Sequence, residues 1–172
     1  MYENKVDKIC GIKCSSNSLL TGLIFDDNGN RMTPSHSTSH KRRYRYYVSL
    51  AIQKYKKLKA GSVSKIPAGE IENFVILTTK ELLQNKKQMQ KILSDFDVNK
   101  QIKLLKIAQN IGDYGNPKLI RSVVNKVVVS DKSVEITYDA KNIREVLSVI
   151  NNGDKFNLIP KNKETEFITI TK

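Results

Sequence analysis

"LLTGLIFDDNGNRMTPSHSTSHKRRYRYYVSL", residues 19 to 50, opens apolar, passes through an acidic turn, and then runs on without another acid. "LLTGLIF" (19 to 25) reads as a strand of β-favouring residues. Asn28-Gly29 favours the positive φ of a tight hairpin turn, so "NRMT" returns as a second strand. Pro34 ends that strand, and residues 35 to 42 form a polar loop. "RYRYYVSL" (43 to 50) is a third strand. Alternation puts Arg43, Arg45 and Tyr47 on one face and Tyr44, Tyr46 and Val48 on the other. The expectation is a three-stranded ribbon with its arginine face outward and its other face packed on "LLTGLIF".

The charge is concentrated in the same region. The 172-residue chain carries a net charge of +13. Residues 31 to 66 hold ten Lys and Arg and no acid, residues 1 to 30 sum to −1, and residues 67 to 172 sum to +4. A genome-wide lysine bias would spread along the chain and would not exclude acids from one stretch. Clustering of this kind points to a polyanion partner. Basic side chains neutralise phosphates and release counterions, arginine reaches guanine in two-pronged fashion, and tyrosine stacks on bases. The candidate contacts are Arg31, Lys41, Arg42, Arg43 and Arg45, supported by Lys54, Lys56 and Lys57. Ser35, His36 and His40 add hydrogen bonds from the loop. Duplex DNA is the favoured partner. An RNA-binding or ribosome-associated protein stays open, because tyrosine interleaving also suits RNA.

Other chemistries find less support. Cys10 and Cys14 with His36 and His40 form an alternative zinc set, but 21 residues separate Cys14 from His36, against about 12 in the familiar finger. The reading therefore carries no metal and no cofactor. "CSSNS" (14 to 18) offers a thiol and hydroxyls with no neighbouring histidine or carboxylate to activate them. Asp26 and Asp27 are turn formers in "DDNG", so no residue is assigned a catalytic role. The longest apolar runs, such as "FVIL" (74 to 77), fall far short of the roughly 20 residues of a membrane span. With two cysteines and no apolar leader in "MYENKVDKIC", the expectation is a cytoplasmic protein without a membrane partner.

Beyond the ribbon the pattern turns helical. Pro67 suits a first turn, and Glu70 and Glu72 suit its positive end. Ile71, Phe74, Val75, Leu82 and Leu83 predict a helix over 68–84. A second helical stretch over 86–111 breaks near "SDFD", where Ser94 or Asp95 caps a new helix. After the breaker "GDYGNP" a short helix leads into "KVVVS", a turn, "SVEITYD", the helix "AKNIREVLSVI" and a last strand "EFITITK". The expected class is α+β. Residues 1–16 are an irregular linker, 17–66 a basic β-ribbon with its connector, and 67–112 a coiled-coil-like helical hairpin. Residues 113–172 are a small β-rich module with one helix.

"LLTGLIFDDNGNRMTPSH" and "RRYRYYVS", followed by "AGSVSKIPAGEIE" (60 to 72), together resemble the C-terminal region of serine site-specific recombinases, the resolvase and invertase relatives. The matching features are Leu19, Leu20, Gly22 and Leu23 of the opening strand, Arg31 and Met32, and Tyr44 to Tyr47. "VVNKVVVSDKSVEITYD" (123 to 139) resembles the family's later strand-turn-strand, so the likeness covers roughly 17 to 139. It implies a ribbon lying on duplex DNA and a helical pair contacting other recombinase subunits, and it leaves open a protein-interaction module that pairs with an intact recombinase and has little DNA affinity of its own. Many family members hold zinc with two Cys-x-x-Cys knuckles. Here "FDDNG" stands in place of the first and "YYVSL" has no cysteine, so the likeness is to a metal-free ribbon. The family's catalytic domain has no counterpart in the chain, which looks like the DNA-binding end alone, truncated or made as a separate piece.

Overall fold

Gly22 takes the first apolar stretch out of strand conformation. It sits at φ +81 and closes a turn in which the Leu23 N–H donates to the Leu20 carbonyl at 2.9 Å. Glycine tolerates that φ because it has no Cβ to clash. Only Ile24–Asp26 (β1) is strand; around the expected turn, with Gly29 at φ +77, it meets the ribbon's start at a single antiparallel bridge, Phe25 opposite Arg31, and is not one of that sheet's strands. It pairs in parallel with Val124–Val129 (β5), Ile24 standing opposite Val127. Parallel neighbours need a long crossover, and the chain between them supplies it. Val134–Asp139 (β6) and Phe167–Thr171 (β7) continue this sheet antiparallel, in the order β1-β5-β6-β7.

A second, antiparallel sheet is built from Met32–Ser39 (β2), Arg42–Ser49 (β3) and Lys65–Pro67 (β4). Pro34 does not end β2. It stands opposite Tyr47 on an edge strand, where a missing N–H removes no ladder bond. The polar "SHSTS" expected as a loop is therefore strand.

The helices are Leu50–Gln53 (α1), Ala68–Gln84 (α2), Lys86–Ile92 (α3), Val98–Gln109 (α4), Pro117–Val123 (α5) and Ala140–Asn151 (α6). The span of α2 coincides with the predicted one. The expected break after α3 is present, but the cap is Asp97, whose side chain accepts from the Lys100 N–H at 3.0 Å, rather than Ser94 or Asp95. Asn116 and Asp139 cap α5 and α6 in the same way.

The computed structural model describes residues 18–39, 42–54, 59–153 and 166–172. Among these the protein is mixed α+β, with one four-stranded and one three-stranded sheet. Its core is one cluster running from Leu20 and Ile24 through Met32 and Tyr47, along Val75 and Leu82 of α2, to Val127, Ile136 and Leu147. Each such apolar side chain stabilises the fold by about 1.5–3 kcal/mol. Packing thus crosses the boundaries of the three segments 17–66, 67–112 and 113–172. Among the described residues no helix is long and apolar enough to cross a membrane.

The turn after β1 is locked to the loop before β4. Asp26, fully buried, accepts from the Ser49 hydroxyl at 2.7 Å, the Gly61 N–H at 3.0 Å and the Asn30 N–H at 2.7 Å. Asp27 accepts from the Ser62 N–H at 2.8 Å. A Cβ on Gly61 would fall on Asp27 Oδ1 and lie 2.9 Å from Asp26 Cβ, so only glycine fits. We expect Gly61→Ala to cost about 1–3 kcal/mol, read as a lower urea midpoint.

Burial alone would raise the Asp26 pKa, but hydrogen bonds from Gly61, Asn30 and Ser49 outweigh it and hold the carboxyl below its ordinary value. A depressed pKa stabilises the fold fully above the unfolded value, about 3.9, and that contribution is lost as pH falls through the folded value. Urea midpoints should therefore drop between pH 5 and pH 2, and drop less steeply in Asp26→Asn.

Candidate nucleic-acid interface

The basic strands leave the body of the protein as an arm. β4 pairs only with Tyr46, Tyr47 and Val48 of β3. Beyond that point, among the described residues, Ser35–Ser39 and Arg42–Arg45 have ladder partners only in each other's strands. Five cross-strand pairs, from Ser35 opposite Tyr46 to Ser39 opposite Arg42, span roughly 13–17 Å at ordinary strand rise. His36, Ser37, Thr38 and Tyr44 along this arm are exposed.

The two faces of β3 lie the other way round from the sequence expectation. Tyr47 is fully buried. Its hydroxyl donates to Glu72 Oε1 at 2.7 Å and accepts from the Leu20 N–H at 2.9 Å. Arg45 shares that face, and its guanidinium sits 3.2 Å from Glu72 Oε2. The arginine-tyrosine face is thus the inward one at the root of the arm, and Arg45 is tethered to α2. The outward face carries Tyr44, Tyr46 and Lys65, whose ammonium lies 3.7 Å from the centre of the Tyr46 ring. The reason is energetic. Burying a whole tyrosine with its hydroxyl satisfied outweighs the exposed Arg45 pair, which contributes about 0–1 kcal/mol.

Glu72 is the hub of this root. It is 8% exposed and also accepts from the Leu19 N–H at 2.9 Å. Arg121 of α5 holds the same turn from the other side, donating to the Leu19 and Thr21 carbonyls at 3.0 and 3.1 Å. Burial first, then the hydrogen bond and charge of Glu72, push the Tyr47 phenol far above its ordinary pKa, so it remains a neutral donor across the working pH range.

The other predicted contacts are dispersed around the arm. Arg31 is exposed at the start of β2. Ser35 stands opposite Tyr46 and His36 opposite Arg45, while Arg42 and Arg43 occupy positions opposite Ser39 and Thr38. Lys54 is exposed just after α1. His40, Lys41, Lys56 and Lys57 lie outside the described residues, as do Cys10 and Cys14 of the alternative zinc set. Among the described residues no group of three or more His, Cys, Asp or Glu is placed to hold a metal.

Three contributors escaped the sequence reading: Glu72 as an internal clamp, Lys65 beside Tyr46, and a surface groove at the arm's root. A signal existed for the first. Ala68, Glu72, Val75, Thr79 and Leu82 recur at spacings of four and three, placing a carboxylate on the buried stripe of α2. A scan against protein-family models and searches of curated proteins and of solved structures found no match.

Replacing Tyr47 by Phe leaves the buried Leu20 N–H without its acceptor and removes one of the three donors that satisfy the Glu72 carboxylate. The expected cost is about 1–3 kcal/mol in chemical unfolding, while Arg45→Ala should cost no more than about 1 kcal/mol.

Proposed function

We propose that this chain grips duplex DNA through the β2–β3 arm, as the DNA-binding end of a recombinase-like protein, and carries no catalytic role itself. The observation that supports this reading is the arm: a two-stranded antiparallel ribbon standing clear of the third strand, drawn from a stretch with ten basic residues and no acid. A duplex major groove, about 12 Å wide, admits a ribbon of that size. Arg42 and Arg43 hold arm positions suited to base edges or phosphates, and Arg31 and Lys54 flank the root as phosphate contacts. Ser35, His36, His40 and Lys41 complete the contact set in this reading, with Lys56 and Lys57 adding charge. Arg45 contributes less than the sequence suggested, because Glu72 already engages it. In this reading the helices serve subunit contacts. α2 exposes Leu77, and α4 exposes Val98 and Ile102 one turn apart.

A salt titration with a 20-base-pair duplex tests the reading. Log affinity should fall linearly with log salt, with a slope implying about four to eight neutralised phosphates. Arg42→Ala and Arg43→Ala should each flatten the slope by about one unit, and Arg45→Ala by less. Absence of duplex binding in dilute buffer, or a slope near zero, would overturn it.

A further inference from the structure

Between the root of the arm and the first turn of α2 runs an open groove of about 570 Å³, lined by Tyr44, Arg45, Tyr46, Pro67, Gly69, Glu70 and Asn73. Tyr44 is 43% exposed, because the burial of Tyr47 against Glu72 turns the opposite face of β3 outward. Lys65 already covers one face of Tyr46, which leaves Tyr44 as the groove's available aromatic surface. The space above Gly69 is open, since a Cβ there would meet nothing within 4 Å.

The geometry points to a site for one unpaired nucleobase, stacked on Tyr44, belonging to a DNA strand that the arm holds. This inference rests on the duplex-binding reading above. Three features select a base. Stacking on tyrosine is open to every base because each has a π face. The surrounding stretch is uniformly basic, which brings the strand to the groove's mouth. Glu70 within the groove accepts a hydrogen bond from an exocyclic amino group, Asn73 offers both a donor and an acceptor to a base edge, and the Arg45 that also lines it is paired with Glu72. A base inside an intact duplex cannot reach such a groove, so the occupant is one already unpaired, as at a bulge or an opened junction.

The test compares a perfect 20-base-pair duplex with the same duplex carrying one unpaired 2-aminopurine bulge. The bulged duplex should bind roughly 5- to 150-fold more tightly, the range that one base–aromatic stack supplies, with a change in 2-aminopurine fluorescence on binding. Tyr44→Ala should abolish that preference and leave the perfect duplex unaffected, and Tyr44→Phe should retain the preference. Equal affinity for the two duplexes, or equal weakening of both by Tyr44→Ala, would overturn the base site. If only the bulged duplex binds, and Tyr44→Ala abolishes it, the base site stands while the duplex-gripping reading falls.

Discussion

A single buried carboxylate decides how the basic strands are presented. Glu72 sits inside the protein, where an unpaired charge would cost several kcal/mol, and it is satisfied by the Leu19 N–H, the Tyr47 hydroxyl and the Arg45 guanidinium. Those donors come from the entry turn and from β3, while Glu72 itself belongs to α2. One side chain therefore binds three separate parts of the chain. It also chooses the inward face of β3, because Tyr47 must meet it, and so sends Tyr44 and Tyr46 outward. The root of the arm is tied to α2 for that reason, and beyond it, among the described residues, β2 and β3 have ladder partners only in each other.

The same region shows how acids close to the basic stretch are used. A stretch without acids in sequence could still be neutralised by acids brought to it by folding. Asp26, Asp27 and Glu72 do approach it. Yet Asp26 and Asp27 spend their oxygens on neutral donors, namely Ser49, Gly61, Asn30 and Ser62. Arg45 of the 31–66 stretch pairs with Glu72. The carboxylates of Asp26 and Asp27 lock the loops beside that stretch.

Much of the fold was legible because local rules governed it. Pro67 and the apolar period marked α2 to the residue, and the break between α3 and α4 was visible in "SDFD". The errors came where tertiary context decided. Gly22 turned an apparent strand into a turn, and Pro34 was harmless only because β2 is an edge. The parallel pairing of β1 with β5 joins residues about a hundred positions apart, beyond any local pattern. For the site, alternation correctly grouped Arg45 with Tyr47 but could not say which face was inward. That required the knowledge that Glu72 would be buried beneath it. The clustering of charge was plain in the sequence; the arm that carries it became visible only when β4 proved to cover just three residues of β3.

The account turns on the arm being the surface that meets DNA. Backbone amide chemical shifts, followed by nuclear magnetic resonance as a 20-base-pair duplex is added at low salt, would test this most directly. The account predicts perturbations concentrated in 35–39 and 42–46, with little change in β5, β6 and α6. Perturbations centred on the helices or the four-stranded sheet, with the arm unaffected, would contradict it.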